Sequence, residues 1–288
     1  MPISRHAESS TKGKHSQRNR YGRQLARVHA PLYHETLFSR LYPGNQESSP
    51  AYIPTLEALD AFMHLTPAQK RRTVVRSDAG FGSDANINHA LKGHWQVLTK
   101  NKGGRRPEAF ARQVASTDWV ALRPDRWVAP AVKPPTYAQP TTCLVLRWLT
   151  ANSEVKHALL VTSVTSWTMT DVVAFYDDRG ACETEIKTDK AGLKLERRRK
   201  KRLAAQEALV LLTDIAHNLL AWAPQWMFPD RPLAAFGATR LIEDVFQLPG
   251  RLFFDQNRLA EVQLNQRHPY AVEVATGLQQ LLAFFGNP

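Results

Sequence analysis

The stretch Tyr176-Asp177-Asp178-Arg179-Gly180-Ala181-Cys182-Glu183-Thr184-Glu185-Ile186-Lys187-Thr188-Asp189-Lys190 decides how the chain is read. Within it stand Tyr176, Arg179 after two intervening residues, Glu183 after three more and Lys190 after a further six. An α-helix turns about 100° per residue, so with Tyr176 at 0° Arg179 falls at roughly 300°, Glu183 at roughly 340° and Lys190 at roughly 320°. As one helix, the four share a face about 60° wide. That face carries one carboxylate, two cations and a phenol, and no apolar stripe that would bury it. Two readings follow. It is a solvated face with spaced ion pairs, or a surface that can hold a divalent cation and a phosphate side by side.

Composition bears on the choice. The 288 residues are 43% hydrophobic, enough for a sizeable core in one large domain or two small ones. Lys and Arg number 38 against 26 Asp and Glu, a formal charge of +12. A chain so basic suits a polyanion, most simply nucleic acid. The two cysteines, Cys143 and Cys182, form no C-x-x-C pair and no disulfide framework. No apolar run is long enough to span a membrane, and the polar, basic N-terminus has no secretory character.

Outward from the quoted stretch, Thr73 to Asp78 reads as a short buried strand ending on a carboxylate, followed at once by Ala79-Gly80-Phe81-Gly82. In open α/β sheets ligands gather at the carboxyl ends of strands. Asp78 is therefore placed for chemistry, and the glycines permit close backbone approach. The plainer alternative is that Asp78 caps a turn. Ser83-Asp84 caps a helix over Ala85 to Lys92, ended by Gly93, and Trp95 to Lys100 is the next strand. Upstream, 1–30 is a basic arm, either disordered or phosphate-contacting. Gln24 to His29 and Thr36 to Leu41 have strand-like alternation, and a helix opens at Pro54 and stops before Thr66-Pro67.

Downstream of Lys100, a basic loop (100–106) and a short helix lead into a β-rich block over 118–167. A helix capped by threonine then opens near Thr170-Asp171. Residues 194–202 hold seven cations and one acid, a solvated link or a phosphate-binding ridge that includes Arg198, Lys200 and Lys201. Leu203 to Trp222 is the most apolar helix, with His217 expected as a satisfied core histidine. A hairpin turns at Asp255-Gln256-Asn257, and a last helix covers Ala271 to Phe285. Trp148 and Trp167 are better read as core packing than as base-stacking platforms.

The spacing of Tyr176, Arg179, Glu183 and Lys190 resembles the Y-(2)-R-(3)-E-(6)-K signature of bacterial insertion-sequence DDE transposases. V-R-S-D-A-G-F-G at 75–82, with the N-I-N-H-A-L-K-G-H-W-Q-V-L-T-K that follows, is similar to that family's second-aspartate segment. The resemblance implies a mixed α/β, ribonuclease H-like fold: a core over 31–117, a β-rich insertion over 118–167, and the catalytic and C-terminal helices over 168–288. It implies metal-dependent cleavage and strand transfer at element-end double-stranded DNA, by a homodimer in a synaptic complex in the bacterial cytoplasm, at the nucleoid. Asp78 and Glu183 would ligate two Mg²⁺ or Mn²⁺ ions. Tyr176, Arg179, Lys190, Arg198, Lys200 and Lys201 would hold DNA phosphates.

The family's first catalytic aspartate ends the first, central strand of the sheet. Here no aspartate precedes Asp60, and Glu8 lies in a basic, strand-poor stretch. The chain therefore reads as the C-terminal part of a transposase with that strand missing. The competing readings are a remnant that binds DNA or a sister transposase without cutting, and a different ribonuclease H-like nuclease.

Overall fold

A computed structural model describes the chain except residues 2–3, 16–17, 196, 198 and 287–288. In order, the elements are β1 (Thr11–His15), β2 (Arg18–Ala30), β3 (Glu35–Pro43), α1 (Ser48–Met63), α2 (Pro67–Lys70), β4 (Val74–Ser77), α3 (Asp84–Lys92), β5 (Gln96–Lys100) and α4 (Arg106–Ala111). Then come β6 (Val120–Arg123), β7 (Arg126–Pro130), β8 (Thr142–Leu149), β9 (Val155–Thr162), α5 (Met169–Asp177), α6 (Gly180–Ala191), α7 (Leu203–Met227), α8 (Ala238–Arg240), β10 (Gly250–Asp255), β11 (Arg258–Leu264) and α9 (Ala271–Gly286). The fold is mixed α/β, divided into two compact units: Tyr42–Ala181, and Met1–Leu41 with Cys182–Pro288.

The Tyr42–Ala181 unit is built on a six-stranded sheet of order β4-β5-β9-β8-β7-β6. β4 and β5 run parallel, and the other pairs are antiparallel. The β-rich stretch does not form a sheet of its own: β9 pairs with β5, with Thr99 opposite Val161. Alternation along the strands fills both faces. Leu98, Val128, Leu144, Leu146, Ala158 and Leu160 pack with Val172, Val173 and Tyr176 of α5, while Val97, Ala129, Cys143, Val145, Leu159 and Val161 are buried on the other. Trp148 and Trp167 lie against the first cluster, as core-packing residues do. β4 is one of the two edge strands, only four residues long and half-buried throughout.

In the other unit the described residues of the basic arm form two strands rather than a loose tail. β1 pairs antiparallel with β2, and the sheet order is β1-β2-β3. Arg23 explains much of this order. Its buried guanidinium donates to the carbonyls of Glu8 (2.9 Å), Lys200 (3.1 Å) and Lys201 (2.8 Å). Burial pulls its pKa down, with Glu8 and Glu207 opposing. Glu8 in turn accepts from the backbone N–H of Leu203 at 2.8 Å, and so caps α7. Deeper in the unit, Arg27 bridges Asp189 and Asp214, the latter at 2.6 Å.

α1 begins at Ser48, six residues before the expected start, and carries Pro54 within it. Proline there forfeits one backbone bond. The early turns are kept by burial of Ala51 and Tyr52 and by Tyr42, whose hydroxyl donates to the Ala51 carbonyl (3.3 Å) and pairs with Thr55 (2.8 Å).

The stretch from Tyr176 to Lys190 departs furthest from the helical spacing expected of it. It is two helices, not one: α5 ends at Asp177, Asp178 caps it, and α6 starts at Gly180. Tyr176 belongs to α5, Arg179 to the turn, and Glu183 and Lys190 to α6. The single four-residue face is therefore replaced by a buried Tyr176 beside Arg179, and by Glu183 and Lys190 two helical turns apart on one side of α6.

Candidate active site

Asp78 follows β4 directly, at the carboxyl end of a strand parallel to β5. Its Oδ1 accepts from the Gly80 N–H at 2.8 Å. The turn-capping role is thus real, and it also fixes the carboxylate. The Asp78 carbonyl accepts from the Phe81 N–H at 3.1 Å, and the Ser77 hydroxyl meets that of Thr99 at 2.9 Å across the parallel pair. The loop then returns against β5, where the Lys102 N–H donates to the Gly82 carbonyl at 2.8 Å.

Lys100 stands in the electrostatic neighbourhood of Asp78, and Arg179 and Arg126 in that of Lys100. Lys100 ends β5, with its ammonium 5.3 Å from the centre of the Trp148 ring. Burial lowers its pKa, Arg179 and Arg126 lower it further, and Asp78 opposes them. Burial likewise raises the Tyr176 phenol, and Asp78 pushes it the same way. Arg179, hydrogen-bonded to it and 5.7 Å from its ring centre, pulls it back. Arg126 forks onto Asp177, one arm at 2.9 Å, which fixes the end of α5. Arg76 does the same from β4, donating to the Phe175 carbonyl and lying 4.7 Å over the Phe175 ring.

The structure therefore brings together Asp78, Tyr176 and Arg179 of the expected set. It adds Lys100 and Arg126, which the sequence reading left out as individual site residues. Lys100 had a signal: it ends the strand after the aspartate's strand, and parallel neighbours end on the same side of a sheet. Arg126 had none, because its pairing with Asp177 follows no period.

In the other unit, Glu183 is exposed in the first turn of α6 and Lys190 in the last, placements that also complement the helix dipole. The Lys200 and Lys201 side chains are exposed while their carbonyls are pinned by Arg23. Arg198 lies outside the described residues. His217 is a satisfied core histidine, as expected. Its Nδ1 meets Asp189 at 2.8 Å and its Nε2 the His34 carbonyl at 2.9 Å.

A divalent cation of the magnesium class asks for hard oxygen donors. Asp78, oriented by Gly80, is such a donor, and Glu183 offers another. Within the described residues of its own unit, Asp78 joins no group of three or more metal-ligating side chains. No described helix is long and apolar enough to cross a membrane.

The family model described as "Transposase DDE domain group 1" matches residues 27–284. Among solved structures, the piggyBac transposase in its synaptic complex with hairpin DNA is similar with a TM-score of 0.49, at 12% identity, over 79% of this chain and 46% of that one. The chain thus spans less than half the length of that transposase. No curated protein matches it.

Proposed function

The chain belongs to the transposase DDE domain family, group 1, and we propose that it acts in DNA transposition, cleaving element-end DNA and joining it to a target. DDE domains work with divalent metal ions. In this reading Asp78 and Glu183 each lend a carboxylate to Mg²⁺ or Mn²⁺, two ions in the complete site. When bound, such ions activate the attacking oxygen and stabilise the leaving one in displacement at phosphorus. The chain's own residues position the strand. Arg179 and Lys190 contact phosphates, Tyr176 orients the terminal phosphate through its hydroxyl, and Lys100 adds a cation beside Asp78.

The partner is double-stranded DNA carrying the element ends, held by a homodimer in the bacterial cytoplasm at the nucleoid. Lys200 and Lys201, with Arg198, extend the phosphate contacts. Residues 1–30 serve as a basic arm, 31–117 and 168–288 as the ribonuclease H-like core, and 118–167 as its insertion.

The observation that carries this reading is a carboxylate at a strand end, Asp78, beside Lys100, which itself neighbours Arg126 and Arg179, in a chain matched to the family over most of its length. The test is incubation of the purified chain with Mg²⁺ or Mn²⁺ and duplexes bearing the ends of the element that encodes it. Nicked and joined products that vanish in Asp78→Asn and in Glu183→Gln support it. Retarded duplex with no nicking in the native chain favours the second reading, DNA binding without cleavage, which rests on Asp78 joining no group of three or more metal-ligating side chains among the described residues.

A further inference from the structure

Away from Asp78, one cluster in the other unit has no part in the proposed chemistry. His29 on β2, Glu185 on α6 and His217 on α7 bring one ligand atom each to within 4.8 Å of one another. The two imidazole rings meet edge to face with centres 5.7 Å apart. His29 and His217 are each 92% buried at the side chain, and Glu185 is 79% buried. His29 Nε2 and Glu185 Oε2 face one another in contact, yet neither atom completes a hydrogen bond with any described group. A buried imidazole nitrogen and a carboxylate oxygen left without hydrogen bonds are costly as they stand. A cation bound by both would remove that cost.

We propose that His29, Glu185 and His217 form a binding site for a divalent transition-metal ion of the zinc class. Two imidazoles and one carboxylate are donors that suit Zn²⁺ and leave one tetrahedral position open. The surrounding groups fit the role. Asp189 holds His217 Nδ1 at 2.8 Å, the outer carboxylate that orients a metal-bound imidazole through its other nitrogen. His217 Nε2 then exchanges its contact with the neutral His34 carbonyl for the ion. The second Glu185 oxygen meets His34 Nδ1 at 2.6 Å, so this exposed histidine, or a water, supplies the fourth ligand. Arg27, a permanent cation that acts on both imidazoles, is already neutralised by Asp189 and Asp214.

The site is separate from the carboxylate proposed for DNA chemistry. Glu183 and Glu185 are two residues apart, about 200° around α6. The ion would tie β2, α6 and α7 together behind the helix face that carries Glu183 and Lys190. Its role is to hold α6, not to meet DNA.

The test uses the full chain, prepared without a histidine tag and stripped with a chelator. Titration with Co²⁺ should give one bound equivalent with a visible ligand-field band, displaced by Zn²⁺ and unaffected by excess Mg²⁺. His29→Gln and Glu185→Gln should each lose the band, while Asp78→Asn and Glu183→Gln keep it. Asp189→Asn should weaken binding by about 10- to 100-fold, the usual effect of removing an outer carboxylate. The native chain itself decides if a variant fails to fold. Absence of a one-equivalent band, or a band undiminished in His29→Gln, would mean an adventitious ion only and overturn the proposal.

Discussion

A Cβ placed on Gly82 would lie 2.0 Å from the carbonyl oxygen of Lys100. The loop that carries Asp78 is thus pressed backbone to backbone against the end of β5, and this contact sets the spacing between the carboxylate and Lys100.

Gly82→Ala should force the two segments apart, since a carbonyl oxygen in a sheet cannot swing aside. We expect a loss of about 1–3 kcal/mol, the range for overpacking, together with a fall in DNA cleavage. Gly80→Ala is the comparison: the atoms nearest its Cβ would be Asp78 Oδ1 (3.0 Å) and Ser48 Cβ and Oγ (3.1 Å), a far looser fit than at Gly82. Urea unfolding of both variants checks the argument, and equal losses would contradict it.

Lys100→Met keeps an unbranched side chain beside Trp148 and removes the charge. DNA affinity should drop, and the slope of log affinity against log salt should shrink by about one. Burial, with Arg179 and Arg126, lowers the Lys100 pKa from its ordinary 10.5. The ammonium is therefore lost as pH rises, at lower pH than for a free lysine. Fluorescence anisotropy on a labelled duplex should show native affinity weakening over that alkaline range, with a flatter profile in Lys100→Met.

Arg27→Met leaves Asp189 and Asp214 buried without their shared cation, a loss of about 3–5 kcal/mol. Glu183→Gln, at an exposed position, should change stability by no more than about 0.5 kcal/mol while abolishing cleavage. Calorimetric unfolding of the two proteins separates a structural charge from a chemical one. A large loss of stability in Glu183→Gln would count against its assigned role.

Asp84 provides a pH-dependent test. Burial opposes its charge, but hydrogen bonds from Arg106 (2.7 Å), Tyr137 (2.8 Å) and Asn101 (3.0 Å) outweigh burial and bring the carboxyl below its ordinary 3.8. Its contribution is complete above that ordinary value and is lost as pH falls through the lower value of the folded chain. Asp84→Asn should be less stable than the native chain at neutral pH. The gap should close on acidification below about pH 4. Urea midpoints measured from pH 7 to pH 3 would show whether the curves converge.

Much of this was legible in the chain itself. Asp78 at a strand end, Ser83 capping the next helix, and the hairpin turning at Gln256-Asn257, both with positive φ, follow from local patterns. The helix break at Asp178-Arg179 did not. Period arithmetic assumes a continuous helix, and only Gly180, a weak helix former, hinted otherwise. Arg23 and Arg27 were counted with the solvated charges of the arm. Position on β2 decides their fate instead: with Leu25 and His29 they occupy alternate residues of the strand, where Arg23 is fully buried, Leu25 packs on the core and Arg27 meets two buried carboxylates. Composition supplies the charge, and only the fold shows which charges are spent inside.

The turn at Asp178-Arg179 also bears on how such chains can be found. Two rules of spacing meet there. The gap from Glu183 to Lys190 is tied to helical register, so a single insertion would swing one residue a quarter-turn from the other. The gap from Arg179 to Glu183 crosses the start of a new helix and has no such lock. A search pattern for divergent relatives should hold the second half of the signature rigid and let the joint between Arg179 and Glu183 vary in length.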